Sequence, residues 1–305
     1  MSSPTGAVDP GVADRARRTA AEAAARAGVR IGLVEDVAGT SEVSRFLAEL
    51  WNSTEAMPAE VLRGIWHAGG SALAAYAGDR LVGAAVAVFE PPATRAVYSL
   101  VAGAATSDRG VGFALKQAQR AWALERGATV MTWTFDPLIG RNARFNLVKL
   151  GARAVDYVID FYGPMDDVFN AGDESDRLTV RWDLVTAEPG GAEPGGAGPA
   201  GTGSEGPGSE GAGSVGRESA AQTRVAPDGG PLEARAGALR WCRVPRDVVA
   251  LRSADPVAAL AWRRAVRGVL TDGARRPGVV RRHAGDGYRP GAEPRARRTA
   301  RLRAA

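Results

Sequence analysis

The residues with the clearest chemical meaning are Asp108-Arg109-Gly110-Val111-Gly112-Phe113-Ala114. They stand where a strand-like run, AVYSLVAGAAT, gives way to the helical pattern FALKQAQRAWALERG. A helix start leaves backbone N–H groups without acceptors and carries partial positive charge. Glycine lets a bulky anion approach that backbone without a Cβ in the way. Two glycines and an arginine at such a junction suit a diphosphate. Each helix-end charge interaction is worth only about 0.3–1 kcal/mol when exposed, so several amides and Arg109 must act together. The dinucleotide fingerprint G-x-G-x-x-G fails here, since its third glycine position is Leu115, and there is no Gly-Lys-Ser/Thr of a triphosphate loop. A glycine-softened helix start with no ligand is the competing reading of the same residues.

The elements that must position this loop follow from apolar periodicity. Between Gly28 and Leu184 the pattern predicts β-α-β-β-β-α-β-α-β-β, a mixed α/β domain around a central sheet. VRIGLVED is the first strand, and TSEVSRFLAELWN a helix with Thr40 or Ser41 as its N-cap. SALAAYAGDRLVGAAVAVFE forms two strands about a Gly78-Asp79 turn. ATVMTWTFDP is a strand stopped by Pro137, RNARFNLVKLG a helix stopped by Gly151, and AVDYVIDFYG and RLTVRWDL are strands.

Composition changes sharply outside this region. Residues 1–28 predict a polar helical extension from about Val12 to Ala27, ended by Gly28. Residues 188–230, rich in Gly, Pro and Glu, predict a disordered linker, and 285–305 a basic disordered tail. Residues 231–284 carry a short strand, LRWCRVP, and a helix with Asp255 as N-cap and Pro256 at its first position. Ala258, Ala261, Trp262, Ala265, Val266 and Val269 share a face of that helix. This is too little for an independent core, so the segment should dock on the 29–187 domain.

The balance of 45% apolar and 24% charged residues in 305 is that of a globular protein. No apolar stretch approaches a membrane span and the N-terminus has no leader-like core, so a cytoplasmic location and no membrane partner are expected. One cysteine, Cys242, excludes an internal disulfide; with two histidines, no metal is expected. Cys242 is read as a small buried filler, His67 as a loop residue and His283 as part of the tail.

Net charge is −3 over residues 1–187, −4 over 188–230 and +12 over 231–305. Of the 39 basic residues only Lys116 and Lys149 are lysines. That ratio points to GC-rich coding, and without a recognition motif or interleaved aromatics nucleic acid is not an expected partner.

Arg109-x-x-Gly112-x-Ala114 resembles the R/Q-x-x-G-x-G/A loop of the GNAT acyltransferases, which bind acyl-coenzyme A. The resemblance extends to GVGFALKQAQRAWALERG, TWTFDPLIGRNARFNLVKLGA and FYGPMDD…SDRLTVRWDL, similar to a branch reading L-K-x-x-Q-R-x-W-A and W-T-F-D-P-L…R-N-A-x-F-N. VPRDVVALRSADPVAALAWRRAVR is similar to the same branch's C-terminal pattern, I-P-x-D followed by W-R-x-x-x-R. It covers about 29–184 and 239–270. It implies the GNAT fold, a mostly antiparallel central sheet flanked by helices, and an acyl-CoA-dependent N-acyltransferase. The donor would be acetyl-CoA or succinyl-CoA. The acceptor would be a small-molecule amine such as an amino acid, attacking directly in a ternary complex, and a homodimer is allowed. The alternative is a GNAT-fold domain that holds acyl-CoA without turnover.

The resemblance further implies that the amides of Gly110, Val111, Gly112, Phe113 and Ala114, with Arg109, hold the diphosphate. The main chain of Ala102 and Ala104 would take the pantetheine arm as an added strand. Asn142 corresponds to a cofactor-facing asparagine, with an N-cap as its plainer reading. The tyrosine that protonates the leaving sulfur in many members is absent; its place is Leu147. Asp136 then becomes the candidate proton acceptor, against an ordinary turn residue before Pro137. Asn146 is a candidate for orienting substrate, and Tyr157 and Tyr162 for donating a proton, against core or rim packing. Glu90 is read as a solvated carboxylate, and Trp51, Trp133 and Phe135 as core.

Overall fold

The computed structural model describes residues 8–53, 57–105, 109–163, 165, 173–186, 224–236, 239–273, 280–283 and 287–290. Residues 188–223 of the expected linker and 285–286 and 291–305 of the expected tail lie outside them. Helix α1 (Pro10–Ala27) starts at an Asp9 cap and ends on Gly28 in the left-handed region (φ 64°). It is part of the main body: Val12, Ala13 and Ala16 join the same apolar cluster as Trp122 and Leu124, and Arg17 reaches Glu125. Helix α2 (Val37–Trp51) begins at Asp36, whose carboxylate accepts from the Gly39 amide at 2.7 Å. The expected caps Thr40 and Ser41 instead lie within the helix, their hydroxyls donating to the Val37 carbonyl.

Strands β1 (Arg30–Leu33), β2 (Ser71–Ala77), β3 (Arg80–Phe89), β4 (Ala96–Ala104), β5 (Val130–Phe135), β6 (Arg153–Val158) and β7 (Arg177–Asp183) form one sheet, in the order β1-β2-β3-β4-β5-β7-β6. Every pairing is antiparallel except β4 with β5, and a parallel pair needs a crossover. Helix α4 (Val111–Glu125) is that crossover, so the 109–114 junction sits at the end of β4. Helices α2 and α3 (Ala59–His67) pack their Val43, Leu47 and Leu62 on one sheet face, and α4 packs Val111 and Leu115 on the other. The α3 helix was not apparent from sequence; His67, expected in a loop, is its last residue. The expected fold class holds: mixed α/β with a mostly antiparallel seven-stranded sheet between helices.

Gly70 locks α3 against the sheet. A Cβ there would stand 2.8 Å from the Ala87 carbonyl oxygen and 2.9 Å from that of Ile65. Neither backbone oxygen can swing away, so Gly70→Ala is expected to cost about 1–3 kcal/mol, read as a lower urea midpoint at unchanged m-value.

The helix expected over RNARFNLVKLG is a short α-turn, α5 (Gly140–Ala143), running into a π-helical turn over Arg144–Lys149. Farther along the chain, β8 (Glu233–Ala236), β9 (Leu239–Arg243), β10 (Val280–His283) and β11 (Gly287–Pro290) form a second sheet, ordered β10-β11-β9-β8. Strand β11 lies within the segment expected to be a disordered tail, and residues 224–230, expected as linker, carry hydrogen bonds such as that from the Leu232 amide to the Arg224 carbonyl. Helices α6 (Val248–Ala254) and α7 (Pro256–Gly273) follow β9. Trp262, Val266, Val269 and Leu270 of α7 join the apolar cluster of Trp133, Phe135 and Leu178. The expected α7 face is partly wrong. Ala261 is exposed, while Arg263 is 0% exposed.

Candidate acyl-thioester site

Strands β4 and β5 pair over only three rungs, Ala96 with Val130, Val97 with Met131 and Tyr98 with Thr132. Beyond them the two strands part. The cause is local: Ala87 of β3 pairs with Ser99 and Val86 with Val101, leaving Leu100 as an extra, unpaired residue. Such a bulge bends and over-twists its strand. From Ser99 to Ala104 the edge of β4 that faces β5 has no strand partner among the described residues, while its other edge stays paired to β3. Ala102 and Ala104 lie on this free edge, the former exposed and the latter half-buried.

The 109–114 junction stands at the mouth of this fork. Gly110 caps α4 with φ 83°, a conformation that favours glycine. The Ala114 amide donates to the Gly110 carbonyl at 2.9 Å. The amides of Val111, Gly112 and Phe113 have no acceptor among the described residues, as the first turn of a helix requires. Arg109 is exposed beside them, and Lys149 Nζ lies 5.1 Å from the centre of the Phe113 ring. Among the described residues, several donors without acceptors and two cations therefore converge at one end of a strand edge without a partner, an arrangement suited to an extended ligand with an anionic end. Asn142 sits half-buried in α5 rather than capping it, since Ile139 is the capping residue.

The candidates for proton transfer are committed elsewhere. Asp136, just past the end of β5, is 5% exposed and lies between two guanidinium groups. Its Oδ1 accepts from Arg263 at 2.9 Å and from the Leu138 amide at 2.9 Å, and its Oδ2 from Arg252 at 2.6 Å and Arg263 at 3.0 Å. Asp173 completes a buried quartet, 2.8 Å from each arginine. Burial alone would raise the Asp136 pKa, but Arg263 and then Arg252 outweigh it and hold the group down at about 2. It is an anchor for α6 and α7, and a poor base.

Tyr157, on β6, donates to Asp176 Oδ2 at 2.6 Å, and burial followed by that carboxylate pushes its hydroxyl well above the usual tyrosine range. Asp176 also accepts from Arg267 of α7 at 2.7 and 2.8 Å. Asn146, in the π turn, accepts from Trp133 Nε1 at 3.2 Å through its side chain and from the Ala152 amide through its carbonyl. Tyr162 is half exposed, packed edge-on against Phe161 at 4.6 Å and facing Arg177. Asp136, Asn146 and Tyr157 thus hold the frame around the fork, and the structure does not bring them together as an acid–base set.

Two features of the region were missed in the sequence. The W-R-x-x-x-R pattern places Arg263 and Arg267 one turn apart, and each meets a carboxylate of the main domain. Across the sheet, the face of β5 opposite α4 is polar: Thr132 donates to the Glu90 carboxylate, and Tyr98 and Thr134 hydroxyls are 3.4 Å apart. Glu90 therefore adjoins the last paired rung rather than standing free in a loop. Among the described residues there is no group of three or more metal-ligating side chains, and no helix long and apolar enough to cross a membrane.

No protein-family profile matches the chain, and no curated protein matches it. Among solved structures it is similar to an acetyltransferase of Bacillus subtilis in complex with CoA, at 22% identity over 51% of this chain and 98% of that one, with a TM-score of 0.39. It is also similar to a GNAT family acetyltransferase from Elizabethkingia anophelis with acetyl-CoA bound, at 12% identity over 51% and 98%, TM-score 0.40. The ribosomal-protein-S18-alanine N-acetyltransferase of Escherichia coli matches at 8% identity over 52% and 96%, TM-score 0.42.

Proposed function

We propose that the chain is a GNAT-type N-acyltransferase that transfers an acetyl or succinyl group from coenzyme A to a small-molecule amine, such as an amino acid, by direct attack in a ternary complex. The observation that carries this reading is the set of first-turn amides on α4 that have no acceptor among the described residues, opening onto the fork where β4 and β5 stop pairing. Val111, Gly112 and Phe113 donate to the diphosphate, with Ala114 packed beneath, and Arg109 and Lys149 add charge. Ala102 and Ala104 offer main-chain groups to the amide-bearing pantetheine arm, which gives affinity with little demand on side chains. Backbone donors past the Leu100 bulge are available to the carbonyl oxygen as it gains charge. The amine acceptor approaches from the polar face, where Glu90, linked through Thr132 to the last rung, is the carboxylate placed to receive its proton. Coenzyme A supplies a thiolate leaving group, so loss of the family's tyrosine at Leu147 slows the step without forbidding it. A general acid is worth about 10²–10⁴-fold.

A second reading, an acyl-CoA-binding sensor without turnover, is favoured by one observation: Asp136, Asn146 and Tyr157 are all tied into structural hydrogen bonds. Release of free thiol from acetyl-CoA or succinyl-CoA over a panel of amino acids and amines separates the two. Acceptor-dependent release supports the enzyme. Binding without release for every acceptor supports the sensor, and failure of both thioesters to raise the melting temperature removes both readings.

A further inference from the structure

The two lysines of this arginine-rich chain both lie beside the fork. Lys149 is exposed and faces the Phe113 ring at the mouth. Lys116, in the second turn of α4, is only 4% exposed. Its Nζ donates to Ser99 Oγ at 2.7 Å and lies 4.1 Å from the centre of the Trp133 ring. Ser99 in turn donates to Gln119 Oε1 at 3.0 Å. Ser99 is the last β4 residue before the bulge, and Trp133 the first β5 residue beyond the last paired rung. The amine therefore sits where the fork opens. Five residues at about 3.3 Å each put that point roughly 17 Å along β4 from Ala104, at the far end from the diphosphate loop.

No carboxylate among the described residues balances this buried charge. An arginine in its place would stay protonated and could not act as a nucleophile. A lysine can lose its proton, and burial brings the Lys116 ammonium down from its usual value to about 7. The Trp133 ring face favours the ammonium, so both forms are populated near neutrality.

We propose that Lys116 is an internal acyl acceptor, whose Nζ takes an acyl group from a thioester lying in the fork and retains it as an amide. This rests on the acyl-CoA reading above. The Nζ lone pair forms the new C–N bond to the carbonyl carbon. The C–S bond breaks with its electron pair on sulfur, and the proton lost by nitrogen ends on that sulfur as free thiol. The resulting amide is uncharged and removes the unbalanced ammonium from the interior.

The test is to incubate the full chain with acetyl-CoA carrying an isotopically labelled acetyl group and to map the label by peptide mass, with Lys149 as the internal comparison. One acetyl group is expected on Lys116, gained about tenfold or more faster than on Lys149, at a rate that climbs through about pH 7 and then levels as the amine becomes fully deprotonated. Lys116→Arg and Lys116→Met should each lose that label while CoA still raises their melting temperature. Equal labelling of both lysines overturns the inference. So does an unlabelled Lys116 in a protein whose melting temperature CoA raises, and that result leaves the acyl-CoA reading standing. No label and no thermal shift overturns both.

Discussion

Replacing Asp136 by asparagine is expected to lower the unfolding free energy by about 3–5 kcal/mol, the usual consequence of removing one partner from a buried ion pair. The side chain keeps its shape, but an amide NH2 replaces one accepting oxygen, so the effect combines lost charge with a lost acceptor. Arg252 and Arg263, 3% and 0% exposed, would then keep Asp173 as their shared carboxylate. Equilibrium urea unfolding of the full chain measures the loss. A change below about 1 kcal/mol would show that the Asp136 charge adds little to the docking of α6 and α7.

The same group sets an acid limit. Arg263 and Arg252 hold its carboxyl down at about 2, below the ordinary aspartate value of about 3.9. A depressed carboxylate contributes stability that is fully present above about pH 4 and is lost as pH falls through about 2. The difference is worth roughly 2 kcal/mol. Melting temperature should therefore fall over that window, and the Asp136→Asn protein should show a shallower fall.

The second large effect concerns the mouth of the fork. At a hundredfold excess over its dissociation constant, a ligand adds about 2.7 kcal/mol, or roughly 5–10 °C in a chain of this size. CoA should raise the melting temperature by that amount in the native chain, and by nothing measurable in the Arg109→Glu/Gly112→Asp double variant. Gly112 tolerates a side chain: its φ is not positive, and a Cβ would stand 4.0 Å from Phe145 Cζ, an ordinary contact. Asp in the first turn of α4 also suits the helix dipole, so the unliganded melting point should hold. Two carboxylates among donors meant for a diphosphate would repel it. An undiminished CoA shift in the double variant would place the binding elsewhere.

Much of the frame was legible because local chemistry marked it. The Gly78-Asp79 turn, Pro137 after β5, Gly28 and Gly127 after their helices, and Pro256 at the start of α7 each act through their own backbone. Helix α3 was hidden because Pro58 is not a side-chain cap and only Leu62 of its residues is buried. The cap of α2 was misplaced by four residues, because Asp36 and Thr40 both have the right chemistry and only the chain path chooses between them. Asp136 looked like a turn residue or a base; its partners are 116 and 127 positions away, beyond the reach of any local pattern.

From the order of residues alone came most of the element types between Gly28 and Leu184, the loop suited to an anion, the missing tyrosine at Leu147 and the presence of only two lysines, since these depend on neighbours within a turn or two. Tertiary structure alone decided that β7 inserts between β5 and β6, that a bulge at Leu100 opens the fork, and that Arg252 and Arg263 neutralise Asp136. It also decided that Lys116 is buried beside Ser99 and Trp133. The physical reason is the same in each case: strand pairing and desolvation are set by residues distant in sequence, and a side chain's charge and reactivity follow the surroundings that folding assembles.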